Sequence, residues 1–136
     1  MITADVIERD ALIVACAISA GVHAALVPEH LGEGAGPGLG FAAAAVLLAG
    51  LAVGLTRYPA STAALVGAAA VFAGLLTSYA LATTTGLPLL HADPEPIDGL
   101  ALATKTIEAL GLLAAVHLLR RPAVPLTPLQ SKGTLA

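Results

Sequence analysis

Four long apolar segments are the feature that most limits what this chain can fold into. They cover about residues 9–28, 39–56, 60–84 and 97–120. Each approaches or exceeds the roughly 17–25 residues that a helix needs to cross a bilayer. Charged residues make up only 11% of the chain, whereas a soluble domain carries about 25%. Because backbone polar groups must be satisfied inside lipid, we expect all four segments to be helices.

The connections between these segments predict how the helices follow one another. The residues between Pro28 and Gly38 and between Thr83 and Pro96 are rich in glycine and proline, which marks loops. The link Arg57-Tyr58-Pro59 is very short, so segments two and three should form a tight antiparallel hairpin. Asp98 is the expected N-cap of the fourth helix. The sequence therefore predicts an all-α fold over residues 1–120, an integral membrane four-helix bundle with short loops.

The basic residues predict the orientation of this bundle. The first and third loops contain no lysine or arginine, and the basic residues on the opposite side are Arg9, Arg57, Arg120, Arg121 and Lys132. The positive-inside rule then places both termini in the cytoplasm and the protein in the plasma (inner) membrane. The proline-containing tail, residues 121–136, is expected to be a mobile cytoplasmic extension.

A small set of polar residues lies within the apolar segments. At a rise of about 1.5 Å per residue, His23, Tyr79, Lys105 and Glu108 should lie at similar depths and form one polar layer. Lys105 and Glu108 are three residues apart, so their side chains can pair. The pair either neutralises itself as a structural element, or Glu108 holds a proton or cation while Lys105 tunes it.

A second polar layer is expected at the outer ends of the helices, where imidazole and carboxylate side chains gather. Imidazole and carboxylate ligands without thiolate suit zinc, copper(II) or iron, although no established metal-ligand spacing is present. The alternative is a set of ordinary interfacial residues hydrated in acidic loops. Haem is disfavoured because His23 and His117 lie at different depths. The predicted metal-site residues are His30, Glu33, His91, His23, Glu29 and Asp93.

Three functional hypotheses follow from these layers. The first is a small multi-pass membrane protein with a metal site near its outer face, formed by segments one, three and four. The second is an accessory subunit of a larger respiratory or transport complex, or a homo-oligomer in the bilayer. The third is a proton-coupled or quinone-binding component that uses His23, Tyr79, Lys105 and Glu108. A net charge of −3 and the lack of a nucleic-acid-binding motif exclude nucleic acid as a partner; whether the chain is an enzyme is left open.

The pattern His23-x4-Pro28-Glu29-His30-x2-Glu33, followed by Gly38-x2-Phe41, resembles short membrane proteins of high-GC bacteria with four predicted spans. The likeness covers the first segment, the first loop and the start of the second segment. It implies a four-helix topology and a charged outer loop. No activity, cofactor or functional residue is implied by it.

Overall fold

The computed structural model describes residues 4–87, 94 and 96–121. Four helices make up its regular structure: α1 (Ala4–Glu33), α2 (Ala35–Arg57), α3 (Thr62–Thr84) and α4 (Gly99–Arg120). Each of the four is long and apolar enough to cross a membrane. The all-α prediction and the four span-like helices are therefore confirmed for the described residues.

The helices run antiparallel in chain order and form a bundle in which each helix packs against two others. α1 packs most extensively against α2 and also against α4, while α3 packs against α4 and more lightly against α2. The bundle has two ends, each named here after one residue that lies there. The His30 end holds the last turn of α1 and the first turn of α4, and the Arg121 end holds the opposite ends of the same helices.

The prediction of a loop between Pro28 and Gly38 is wrong, because α1 continues through Pro28 to Glu33 and α2 begins at Ala35. Proline costs the helix one hydrogen bond and adds a local clash, but the turns on either side of it remain helical here. Gly34 alone breaks the two helices, with φ 158° and ψ 160°, a conformation that glycine adopts most readily.

A second glycine makes this α1–α2 hairpin tight. A Cβ atom at Gly38 would lie only 2.9 Å from the Cα atom of Leu31, so a larger residue would force the first turn of α2 away from α1. The tight α2–α3 hairpin is confirmed, and Ser61 caps α3 by accepting from the Ala64 N–H at 3.2 Å. Asp98 caps α4 as predicted, with its Oδ1 atom accepting from the Ala101 N–H at 2.7 Å.

The apolar core fills the half of the bundle nearer the Arg121 end. Its fully buried residues come from all four helices: Leu12, Cys16, Leu48, Leu55, Ala68, Phe72 and Ala115. Phe72 is the largest of them, and its ring fits against α4 because position 111 is glycine. A Cβ atom at Gly111 would lie 2.8 Å from Phe72 Cζ and 3.1 Å from the Ala15 Cβ atom. Gly111 therefore lets α1, α3 and α4 converge on one aromatic ring.

Ion pairs close the Arg121 end of the bundle. The Arg121 guanidinium pairs with Asp5 and, at 2.9 Å, with Glu8 Oε1. His117 Nδ1 lies 3.1 Å from the same Glu8 oxygen. These contacts join the beginning of α1 to the end of α4, which are more than a hundred residues apart in the chain.

We expect Gly111→Ala to destabilise the bundle relative to Gly74→Ala. Both substitutions make the same change in a helix, but Gly74 has open space around its Cα atom. The difference in unfolding free energy should be about 1–3 kcal/mol, the usual cost of overpacking a core. Reversible unfolding in detergent, followed by circular dichroism, measures it. Equal stabilities for the two variants would show that Phe72 can move aside.

Candidate functional site

A cavity of about 600 Å³ lies in the half of the bundle nearer the His30 end. All four helices contribute to its wall. The apolar lining includes Leu26, Phe41, Ala44, Leu75, Ala82, Leu87 and Leu100, and the polar lining includes His23, His30, Ser78, Tyr79, Thr104 and Lys105. Glu29, Glu33 and Asp98 also line it. The volume lies within the range of roughly 300–1,000 Å³ that is usual for small-ligand sites.

Glu108 lies next to this cavity, at the boundary with the apolar core, and is 0% exposed. Both of its carboxylate oxygens have a partner. Ser19 Oγ donates to Oε1 at 2.7 Å, and Lys105 Nζ donates to Oε2 at 2.7 Å. His23 Nδ1 is 3.9 Å from Oε1. The predicted Lys105–Glu108 pair therefore forms, and it is held from α1 as well as from within α4.

The two histidines of α1 make the same local hydrogen bond. His23 Nδ1 lies 2.9 Å from the Ser19 carbonyl oxygen, and His30 Nδ1 lies 3.0 Å from the Leu26 carbonyl oxygen. A carbonyl oxygen can only accept, so Nδ1 carries the hydrogen in each ring. In the neutral imidazole this leaves Nε2 as an acceptor.

Phe41 of α2 holds both imidazoles in place. Its ring centroid is 3.8 Å from that of His30, in a stacked arrangement, and 5.3 Å from that of His23. His23 is 5% exposed, so its ring has little freedom. The aromatic contact fixes two neighbouring rings along the wall of the cavity.

Tyr79 and Lys105 form the polar contact between α3 and α4. Lys105 Nζ lies 5.5 Å from the centroid of the Tyr79 ring, within the range of a cation–π contact. The Tyr79 hydroxyl is buried and has no hydrogen-bond partner among the described residues. A buried hydroxyl without a partner is costly, so a hydrogen-bond acceptor that reached this oxygen would remove that cost.

The structure thus brings together the predicted polar layer of His23, Tyr79, Lys105 and Glu108. The predicted metal set is placed only in part, because His91 and Asp93 lie outside the described residues. Among residues 4–87, 94 and 96–121, no three histidine, cysteine, aspartate or glutamate residues group closely enough to hold a metal ion. His30 and the exposed Glu29 and Glu33 nonetheless line the same cavity.

Sequence reasoning missed two residues of this site. Ser19 could have been found, since it lies one helical turn before His23 and hydroxyl groups are scarce in the apolar part of α1. Phe41 carries no such signal. Its contact with both histidines depends on how α2 folds back along α1 after Gly34, and no residue spacing within α2 predicts that.

The comparisons with known proteins give no family for this chain. No protein-family model matches it, and neither the curated proteins nor the solved structures contain a match. Its function is therefore argued from the cavity and the buried charges.

We expect Lys105→Met to destabilise the protein strongly, because it leaves Glu108 buried without its cation. Removing one partner of a buried ion pair costs about 3–5 kcal/mol. Adding Glu108→Gln to Lys105→Met should recover part of that loss, because the amide carries no charge. A double-mutant cycle of unfolding free energies in detergent measures the coupling.

Thr106→Val is the matched control for this cycle, since Thr106 is exposed on the same helix and its hydroxyl donates to the Leu102 carbonyl oxygen one turn earlier. Its stability should stay close to that of the natural chain. If the losses of unfolding free energy from Lys105→Met and Glu108→Gln were additive, the coupling energy would be zero. That result would contradict a stabilising interaction between the two side chains.

Proposed function

We propose that this chain is a small multi-pass membrane protein whose cavity binds a membrane-soluble ligand with a polar head group of the quinone class. The observation that carries the proposal is a largely apolar cavity lined by two residues that carry donors, Lys105 and Tyr79, the latter with a buried hydroxyl that has no partner among the described residues. The proposal corresponds to the third hypothesis from the sequence, a proton-coupled or quinone-binding component.

The geometry suits a ring that carries oxygen atoms. The carbonyl oxygens of a quinone accept hydrogen bonds, which the Lys105 ammonium and the Tyr79 hydroxyl can donate. Phe41, Leu75 and Leu100 supply apolar surface for the ring and its tail. Small-ligand sites commonly combine such apolar walls with a few convergent polar groups.

The charges favour a ligand that is neutral when it enters. Glu108 already balances the Lys105 ammonium at 2.7 Å. The remaining charged groups of the lining, Glu29, Glu33 and Asp98, are acidic and repel an anion. A fatty acid or phosphate ester is therefore disfavoured, while a quinone meets no charge penalty.

The other hypotheses stay predictions. A zinc, copper or iron centre needs ligands beyond those grouped among the described residues, since His91 and Asp93 lie outside them. The metal-site hypothesis is tested by measuring the metal content of the purified protein with and without His30→Ala. A larger complex, a homo-oligomer and a haem group likewise have neither support nor contradiction in the contacts of this chain.

The proposed orientation places the Arg121 end in the cytoplasm and the His30 end on the outer side of the plasma membrane. At the Arg121 end lie Arg9, Arg57, Arg120 and Arg121, whereas Lys105 is the only basic Lys or Arg near the His30 end among the described residues. That asymmetry supports cytoplasmic termini through the positive-inside rule.

Cysteine labelling tests the orientation. In a Cys16→Ser background, cysteine in place of Gly32 and of Asp98 should react with an impermeant maleimide added outside intact cells. Cysteine in place of Arg57 should react only after the cells are opened, because it lies at the other end of the bundle. Labelling of positions 32 and 98 from opposite sides would contradict both the topology and the shared cavity.

Ligand binding tests the proposal itself. A benzoquinone with a short alkyl tail should partition into nanodiscs that hold the protein more than into empty nanodiscs of the same lipid. Ala82→Leu should weaken binding tenfold or more, because Ala82 is buried and lines the cavity. Tyr79→Phe should weaken it about fivefold, the loss of one hydrogen bond of roughly 1 kcal/mol.

Ala70→Leu is the control for the cavity-filling variant, since Ala70 is exposed on the same helix and does not line the cavity. It should bind the quinone like the natural chain. Equal partition of the quinone into nanodiscs with and without the protein would contradict the proposal.

A further inference from the structure

A directed series of hydrogen bonds joins the cavity to Glu108. The single hydrogen of the Ser19 hydroxyl points to Glu108 Oε1 at 2.7 Å, so the lone pairs of Ser19 Oγ are left to accept. His23 Nδ1 shares its hydrogen between the Ser19 carbonyl oxygen at 2.9 Å and Ser19 Oγ at 3.4 Å. Ser19 therefore links His23, which lines the cavity, to the carboxylate, and the Nε2 atom of His23 is left as an acceptor.

We infer that the cavity takes its ligand in the hydroxyl form, as a quinol or another phenol, and accepts the hydroxyl proton on Glu108. This rests on the proposed function and names the form of the ligand. The cavity then offers an acceptor, His23 Nε2, for the ligand hydroxyl, and donors, Lys105 and Tyr79, for the oxygen that remains.

The proton balance of the step is as follows. The ligand O–H bond breaks, its electron pair stays on oxygen, and a new N–H bond forms at His23 Nε2. The Nδ1 proton of His23 passes to Ser19 Oγ, and the hydroxyl proton of Ser19 passes to Glu108 Oε1. His23 ends as its other neutral tautomer and gives up its hydrogen bond to the Ser19 carbonyl oxygen. Ser19 is again a hydroxyl, and Glu108 is a neutral acid. No oxidant or reductant takes part.

The charges explain why this transfer suits a buried site. Before the step the Lys105 ammonium balances the Glu108 carboxylate, and after it the same ammonium balances the ligand oxyanion. The number of charges in the bundle does not change, so no isolated charge is created in apolar surroundings. The step exchanges one partner of Lys105 for another.

The groups that face Glu108 are consistent with this assignment. Ser19 and His23 face it from α1, and Lys105 faces it from its own helix. Tyr79 reaches the Lys105 side from α3. α2 contributes Phe41, which carries no titratable group, to the wall beside His23. Among the described residues, Lys105 is the cation paired with Glu108, so the oxyanion has one clear counter-ion.

An alkyl nitrophenol is the probe for this step, because its phenol and phenolate forms absorb at different wavelengths. The full chain is held in nanodiscs at a pH at which the free probe is protonated. We expect bound probe to absorb as the phenolate, and infrared difference spectra to show the carbonyl stretch of a newly protonated carboxyl group. In Glu108→Gln the infrared band should vanish, because no carboxyl group is left at this position to take the proton.

Ser19→Ala keeps Glu108 and removes the link, so the probe should still bind while the infrared band is lost. Thr106→Val is the control and should behave like the natural chain. Circular dichroism confirms that each variant is folded, and Ser19→Thr, which keeps the hydroxyl, should restore the band if the alanine variant proves unstable.

The outcomes separate the two proposals. The proposed function would be overturned if neither the quinone nor the phenol partitioned more strongly into nanodiscs that hold the protein than into empty ones. A probe that binds and stays protonated would overturn the proton transfer alone. A protonated-carboxyl band that persists in Glu108→Gln would also overturn it, since the proton would then have gone to another acid.

Discussion

The buried ion pair of Lys105 and Glu108 is the constraint on which the rest of this structure depends. An ionised carboxylate in apolar surroundings is stable only with a cation and with hydrogen bonds to its remaining oxygen atoms. Lys105 supplies the first and Ser19 the second, each at 2.7 Å. Since Ser19 belongs to α1 and Lys105 to α4, satisfying Glu108 fixes how these two helices align.

That alignment divides the bundle into two unlike halves. Towards the Arg121 end, Phe72 fills the space that Gly111 leaves, and the core is continuous. Towards the His30 end the polar layer replaces apolar packing, and a cavity of about 600 Å³ opens beside it. The charged groups and the cavity are adjacent, since His23, Tyr79 and Lys105 belong to the polar layer and also line the cavity.

Much of this arrangement could be predicted from residue spacing, for a physical reason. The helical rise fixes the depth of each residue in an apolar segment, so His23, Tyr79, Lys105 and Glu108 could be assigned to one layer. The spacing of Lys105 and Glu108 predicted their pair. The loop around Pro28 was predicted wrongly, because proline lowers helix stability without always abolishing the helix, and the turns on both sides of Pro28 stay helical.

The sequence by itself determined the class of this protein: four apolar helices, their order, their polar layer and the pairing within α4, since all of these depend on local spacing and hydropathy. Only the tertiary structure decided the partners between helices. It placed Ser19 on Glu108, Phe41 on the two histidines and Phe72 against Gly111. These contacts depend on how each helix is rotated about its axis and how closely the helices pack. The order of residues does not specify either, because the apolar segments are so uniformly composed of alanine, leucine and glycine.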